Sequence, residues 1–312
     1  MSTSSCSVLA TSVRLREPAR TKRARRDSKV GERYRLSKRG GQNRSLTICA
    51  NVLAALRQRR LFFAFQPVVC AASGRIDYFE CLLRMRNVEG SIATGGEFIT
   101  AIEQLGRISF IDDYVLEQTV NELANYPGVR LGLNVSSLTA REGAWLKSLI
   151  SLAHHRPGLV ARMVVEITET AALSDIDETA RFVRALRKVG CQVAIDDFGA
   201  GHTSFRHLHT LAVDIVKIDG SFVRDLATSP EKRLLLRYLL GAINDLGMMT
   251  VAEGVENADD EAVVRAEGCG YLQGYHLGPP TTERAWLRAT SANTAAVDRV
   301  TPFSGDINPR WC

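Results

Sequence analysis

Eight short runs rich in β-branched and aromatic residues alternate with amphipathic stretches, and this alternation narrows the fold more than any other feature of the chain. The runs are Phe62–Val69, Tyr78–Met85, Leu131–Ser136, Met163–Thr168, Gln192–Phe198, Ile215–Asp219, Thr250–Val255 and Tyr271–Tyr275. Between several of them apolar residues recur at helical spacing. One set is Val115, Leu116, Val120 and Leu123. A second is Ile176, Ala180, Val183 and Leu186, opened by Ser174 and Asp177 and closed by Gly190. A third is Leu234, Leu235, Tyr238, Leu239, Ala242 and Leu246. Strands alternating with helices predict parallel β/α topology. Eight such units between about residues 60 and 289 predict a closed barrel of the TIM type. A doubly wound open sheet is the alternative, but no strand is followed by the G-x-G-x-x-G phosphate fingerprint of that fold.

Charge divides the chain unevenly. Residues 1–45 carry 13 Lys/Arg against 3 Asp/Glu, and the remaining 267 residues carry 27 against 31. Residues 1–45 therefore read as a basic, solvated, disordered tail, with contact to nucleic acid or an anionic membrane as the sharper alternative. Residues 290–312 read as a second, polar tail. The body between them, 46–289, is mildly acidic, which does not support a nucleic-acid-binding barrel. No run of 18 apolar residues predicts a transmembrane helix, and no apolar stretch precedes a cleavage site of the secretory kind. The Arg/Ser-rich start shares its composition with organelle transit peptides. Seven scattered cysteines without a C-x-x-C pair predict a reducing, cytoplasmic setting and no structural zinc.

Polar residues recur in one place. Glu80, Asn134, Glu166, Asp196, Asp197, Lys217, Asp219, Glu253, Glu256 and Gln273 all lie at or near the C-terminal end of a candidate strand. Barrel strands are covered on both faces, so carboxylates there are costly unless paired or metal-bound. A single one would read as a solvated loop residue or a helix cap. Repetition over most of the strands points instead to the C-terminal rim, where barrels gather catalytic groups. Period two places Glu80, Leu82 and Arg84 on one strand face and Cys81 and Leu83 on the other. Lys217 shares a face with Asp219, and Asn134 with Gly132 and Ser136. Asp196 and Asp197 are adjacent, so both serve one site only if the strand bends, as Gly199 and Gly201 would allow. So oxygen-rich a donor set suits Mg²⁺ or Mn²⁺ better than zinc, and it exceeds the needs of one ion. Two ions about 3.5–4 Å apart, bridged by Asp196, would use it, and sites of that kind commonly cleave phosphodiesters.

These residues also carry a resemblance. Glu80-Cys81-Leu82-Leu83-Arg84 resembles the E-A-L-L-R signature of EAL domains, the bacterial phosphodiesterases of cyclic di-GMP. The likeness extends in family order through Phe65-Gln66-Pro67-Val68-Val69, Leu133-Asn134-Val135-Ser136, Glu166-Ile167-Thr168-Glu169, Asp196-Asp197-Phe198-Gly199, Val216-Lys217-Ile218-Asp219-Gly220-Ser221-Phe222-Val223, Ala252-Glu253-Gly254-Val255-Glu256 and Gln273-Gly274-Tyr275, over about residues 60–285. It implies a modified (β/α)₈ barrel with an antiparallel first strand. It implies hydrolysis of one phosphodiester bond of cyclic di-GMP to linear pGpG, with two Mg²⁺ or Mn²⁺ ions. By motif, Glu80, Asn134, Glu166, Asp196, Asp197 and Glu253 would hold the metals, and Lys217 would position the attacking water. Glu253, Glu256 and Asp219 would complete the catalytic set. Gln66, Arg84 and Gln273 would contact substrate, with Arg84 on a phosphate. Glu169 would anchor the loop after Asp197, which in this family couples to the dimer interface. A homodimer is implied with it.

Two departures stand out. Cys81 replaces the usual Ala and, by alternation, faces the helices, where a small apolar side chain suffices. After the double aspartate, Ala200 and His202 stand where the family usually has Thr and Tyr. No expected ligand is lost; the two changes bear on how that loop is ordered, and His202 reads either as a pH-sensitive group or as a surface loop histidine without a role. Asp197-Phe198-Gly199 is not a kinase motif, since the chain has neither an early glycine-rich loop nor H-R-D. The rivals to hydrolysis are a barrel that binds cyclic di-GMP as a receptor and a scaffold acting through its basic tail. A scaffold has no use for the carboxylates.

Overall fold

The computed structural model describes residues 42–200 and 205–287. β1 (Leu61–Cys70) and β2 (Ile76–Arg86) form a long antiparallel hairpin, in register from Leu61↔Met85 to Val68↔Tyr78. Aromatic and β-branched residues favour its pleat, and Gly74, at φ 68°, takes the left-handed position in its turn. A short strand, β3 (Ile92–Thr94), extends β2 on its outer side. The remaining strands run parallel to β2 in sequence order: β4 (Leu131–Asn134), β5 (Met163–Thr168), β6 (Gln192–Phe198), β7 (Ile215–Ile218), β8 (Met249–Ala252) and β9 (Tyr271–Leu272). β9 returns to pair with β1, antiparallel, and closes an eight-stranded barrel to which β3 is appended. The first strand thus runs against both neighbours, as the resemblance implied.

Two apolar compartments hold the barrel together. The larger lies between the strands and the surrounding helices and takes one side of every strand, for example Phe79, Cys81 and Leu83 of β2 and Val216 and Ile218 of β7. Cys81 is therefore buried against the helices, as alternation predicts, and burial pushes its thiol pKa well up. The smaller compartment lies inside the barrel and consists of Val68, Tyr78, Val164, Ala194, Ile215 and Val251. It fills only one end of the cylinder, so the opposite end is free for polar groups.

Three local expectations are corrected. The helix Ile176–Lys188 is capped by Asp175, whose side chain accepts from the Glu178 amide, and not by Ser174, which ends the preceding short helix Glu169–Leu173. The helix Pro230–Asp245 buries Leu236, Leu239, Leu240 and Ile243 and leaves Leu234, Leu235 and Tyr238 at 49%, 54% and 69% exposure. Both stripes have helical spacing in so leucine-rich a run, and the register against β8 selects the other one. Strands also stop earlier than expected, because β7, β8 and β9 end before Asp219, Glu253 and Gln273. Of the expected tails, residues 1–41 and 290–312 lie outside the described residues, as does His202, while residues 42–45 are helical.

Candidate active site

Each barrel strand sends one polar side chain into the open mouth. Gln66, Glu80, Asn134, Glu166, Asp196 and Lys217 come from β1, β2, β4, β5, β6 and β7. Glu253 and Gln273 follow directly on β8 and β9. The layering follows from strand period two. Tyr78, Val164, Ala194, Ile215 and Val251 each precede by two residues the polar group of their own strand, so an apolar floor lies beneath a polar ceiling.

Lys217 is the centre of the polar layer. It is 0% exposed, and its Nζ lies 3.1 Å from Glu80, 2.7 Å from Glu166, 2.8 Å from Asp196 and 3.0 Å from Glu253. Asn134 Nδ2 and Gln273 Nε2 donate to Glu80 at 2.9 and 2.7 Å. Gln273 also donates to Gln66 at 3.2 Å. Glu80, Glu166 and Asp196 bring one oxygen each within 4.8 Å of one another, and so do Asp196, Asp197 and Glu253. Asp196 belongs to both groups.

The double aspartate is bent as the shared site requires. The bend falls at Asp197 itself, which takes φ 57°, and the β6–β7 register shifts between Ile195 and Phe198. Left-handed backbone is uncommon for a residue with a Cβ, though Asp tolerates it better than most. Gly199 follows at φ 97°, where a Cβ would lie 2.4 Å from the Phe222 ring. Glu169, buried, accepts from the Gly199 amide at 2.7 Å and so holds the start of the loop.

Electrostatics mark a site short of positive charge. Burial pushes Lys217 down, but the carboxylates around it outweigh that and raise it well above the usual lysine range. Burial raises Glu80, yet the charge of Lys217 and the hydrogen bonds from Gln273, Asn134 and Lys217 hold it below its ordinary value. Glu166 goes the other way: burial, with Glu80 and Asp196 adding to it, keeps it well above the carboxylate range despite Lys217. Glu253 is pushed up to about 8 by burial and by Asp196 and Glu80. Asp197 reaches about 6 through desolvation and the charge of Asp196. Such shifts arise where like charges converge without enough cations. Five carboxylates and one ammonium leave a formal charge of minus four. Glu166 Oε1 is buried with no hydrogen-bond partner. An all-oxygen donor set of excess negative charge, with an unpartnered buried carboxylate oxygen, fits divalent cations of the hard class.

The other expected residues are placed less centrally. Gln66, Glu80, Glu253, Glu256 and Gln273 line a cleft of about 300 Å³ with Leu82, Gly254, Gly274 and Tyr275. Glu256 is exposed on its rim. Arg84 donates to the Leu83 carbonyl at 3.0 Å and is not among the residues lining the cleft. Asp219 uses one oxygen to cap the turn Gly220–Phe222, accepting from the Ser221 amide at 2.9 Å. Sequence reasoning missed Tyr78 and Asp112. Tyr78 shares the face of Glu80, a signal that period two contained. Asp112 accepts from the Ser136 amide at 3.1 Å and steadies the turn after Asn134, a long-range contact with no sequence signal.

A family model described as EAL domain matches residues 50–280. Cyclic di-GMP phosphodiesterase PA2567 of Pseudomonas aeruginosa is 29% identical over 84% of this chain and 46% of its own length. An uncharacterised protein of Sinorhizobium fredii is 34% identical over 78% of this chain and 30% of its own length. The chain thus spans less than half of these curated relatives. Among solved structures, the FimX EAL domain of Pseudomonas aeruginosa bound to c-di-GMP is similar at TM-score 0.69 and 28% identity, over 76% of this chain and 97% of that one. The PaMucR phosphodiesterase in its c-di-GMP complex is similar at TM-score 0.65 and 28% identity, over 71% and 97%.

Proposed function

This chain belongs to the EAL domain family, and we propose that it hydrolyses cyclic di-GMP to linear pGpG at the mouth of its barrel with two divalent cations, Mg²⁺ or Mn²⁺. The observation that carries the reading is the convergence of Glu80, Glu166, Asp196 and Glu253 within 3.1 Å of one buried ammonium, with Asp196 common to two carboxylate groups. Two divalent cations would neutralise the formal charge of that set. Glu80, Asn134, Glu166, Asp196, Asp197 and Glu253 would hold them. Bound there, they would supply Lewis acidity toward a phosphoryl oxygen and a lowered pKa for water.

The remaining roles belong to the chain. Lys217 keeps the acids convergent and orients the nucleophilic water. Glu253 lines the cleft and would complete the catalytic set there. Glu256 and Asp219 add negative charge around the nucleophile. Gln66 and Gln273 line the wall against which the substrate lies, and Arg84, on the strand face of Glu80, meets a phosphate. Glu169 fixes the loop after Asp197 through the Gly199 amide. Among the described residues no helix is long and apolar enough to cross a membrane. A cytoplasmic homodimer is part of the same proposal.

The test is incubation of purified protein with cyclic di-GMP and Mg²⁺ or Mn²⁺, followed by chromatography. The wild type is expected to release pGpG, and Glu80→Ala to release none. Equal behaviour of the two would refute the site. Binding of cyclic di-GMP without pGpG would establish a receptor instead.

A further inference from the structure

The β1–β2 hairpin outruns the barrel at the mouth. β2 pairs with β4 only as far as Cys81↔Leu133, while its pairing with β1 continues to Leu61↔Met85. From Arg84 to Arg86 its other edge is taken by β3. Leu61, Phe63, Leu83 and Met85 of this overhang are buried against the helices. Period two therefore turns Phe62, Arg84 and Arg86 to the face that carries Gln66 and Glu80 lower down. Arg60 lies opposite Arg86, whose amide donates to its carbonyl at 2.9 Å. At about 3.3 Å per residue, Arg84 and Arg86 stand roughly 13 and 20 Å along the strand from Glu80. The guanidinium of Arg86 lies 5.6 Å over the centroid of the Phe62 ring. Arg60 donates to the Gln58 side chain at 2.8 Å and to the Arg86 carbonyl, and Arg84 donates to the Leu83 carbonyl. Among the described residues none of these three arginines is ion-paired, whereas Arg130, Arg187, Arg233 and Arg284 each hold a carboxylate.

Three unneutralised guanidiniums at one edge contrast with what surrounds them. The chain after residue 45 carries 27 Lys/Arg against 31 Asp/Glu, and the mouth itself has a formal charge of minus four. Two divalent cations would cancel that charge without reversing it. A phosphodiester dianion nearing the barrel would thus meet no attraction from the site, and the overhang supplies one before contact. We propose that Arg60 and Arg86, set beside Phe62 at the end of the hairpin, form an electropositive entry that draws the anionic substrate to the mouth. The inference rests on the reading that the substrate is cyclic di-GMP, and it assigns capture to residues outside the ligand set. Neither arginine touches a reacting atom, so their effect falls on association and not on the chemical step.

The test compares wild type with Arg60→Gln/Arg86→Gln and with Arg181→Gln/Arg184→Gln, which takes the same charge from exposed positions on the outer helix Ile176–Lys188. Values of kcat and kcat/KM for cyclic di-GMP are measured from about 10 mM to about 1 M salt, across which the screening length falls from roughly 30 to 3 Å. At the lowest salt the mouth variant is expected to lose on the order of 10-fold in kcat/KM with kcat unchanged, and at the highest salt to lie within about 2-fold of wild type. Arg60→Lys/Arg86→Lys keeps the charge and should keep most of kcat/KM at every salt. The outer-helix variant should follow wild type. A loss that salt does not diminish, the same loss in the outer-helix variant, no loss at all, or a fallen kcat overturns the inference and leaves the functional reading intact. If wild type binds cyclic di-GMP without cleaving it, the same comparison is made on the dissociation constant, with the same result expected. A wild type that neither cleaves nor binds cyclic di-GMP overturns both.

Discussion

Replacing Lys217 by Met removes the one cation around which the site is built, and the consequence can be worked out in advance. The side chain is fully buried and contacts four carboxylates at 2.7–3.1 Å. Removing one member of a buried ion pair costs about 3–5 kcal/mol, because the partner stays behind uncompensated. In a domain of this size each kcal/mol moves the melting point by about 2–4 °C, so Lys217→Met should melt about 6–20 °C lower in chelator at pH 8. The loss should shrink as pH falls. Glu166 and Glu253 already have raised pKa values in the folded chain, and losing the ammonium raises them further. An acid with a raised folded pKa binds its proton more tightly when folded, so its contribution is favourable at low pH and is lost as pH rises through that value. At pH 6 the variant should therefore lie nearer to wild type than at pH 8. Divalent cations supply the missing charge, so Mn²⁺ should stabilise Lys217→Met more than it stabilises wild type. The assay is thermal denaturation at pH 6 and 8, in chelator and in Mn²⁺. A variant that melts within about 2 °C of wild type at pH 8 without metal would refute the argument that charge converges here.

Two further changes probe the scaffold. Gly274→Ala would place a Cβ 2.1 Å from the Val255 carbonyl oxygen, backbone against backbone in the cleft wall, and should cost about 3 kcal/mol in urea denaturation; an unchanged midpoint would show that the wall gives way. Asp112, in the helix Ser109–Asn125, is pushed up to about 7 by burial, against the hydrogen bond from the Ser136 amide and with Glu103 and Asp113 adding to it. Its raised pKa makes wild type lose stability as pH rises from about 4 to 7, by up to roughly 4 kcal/mol at about 1.4 kcal/mol per unit. Asp112→Asn should flatten that slope, and a slope unchanged in the variant would assign it elsewhere.

Much of the site was readable because barrel geometry turns a one-dimensional pattern into a ring. A strand of period two shows which of its residues face inward, and the C-terminal end of each strand shows where along the axis they stand. Those two facts suffice to bring Glu80, Asn134, Glu166, Asp196 and Lys217 together from positions scattered over 138 residues of chain. They also predicted that Cys81 faces the helices. What they omit is depth below the rim and contact across the barrel. Gln66 and Glu256 are placed by loops and an antiparallel strand that the pattern does not position. Asp219 caps the turn Gly220–Phe222, a duty its motif does not announce. The buried face of the helix Pro230–Asp245 is not legible from spacing because residues 234–240 hold five leucines in two phases, and only packing chooses between them.

Tyr78 shows why depth matters. Its place on the Glu80 face was available from alternation, yet an inward aromatic reads as core filling until its neighbours are known. Gly132 makes the difference. In the pattern it is merely the inward residue before Asn134, without a side chain to interpret. In the barrel its missing Cβ is the space that Glu166 Oε1 and the Tyr78 ring approach from two sides. Packing at this point depends on an absent atom, and absent atoms leave no periodicity. A strand pattern can therefore locate a ring of acids, while the room each acid occupies comes into view only when three strands are seen side by side.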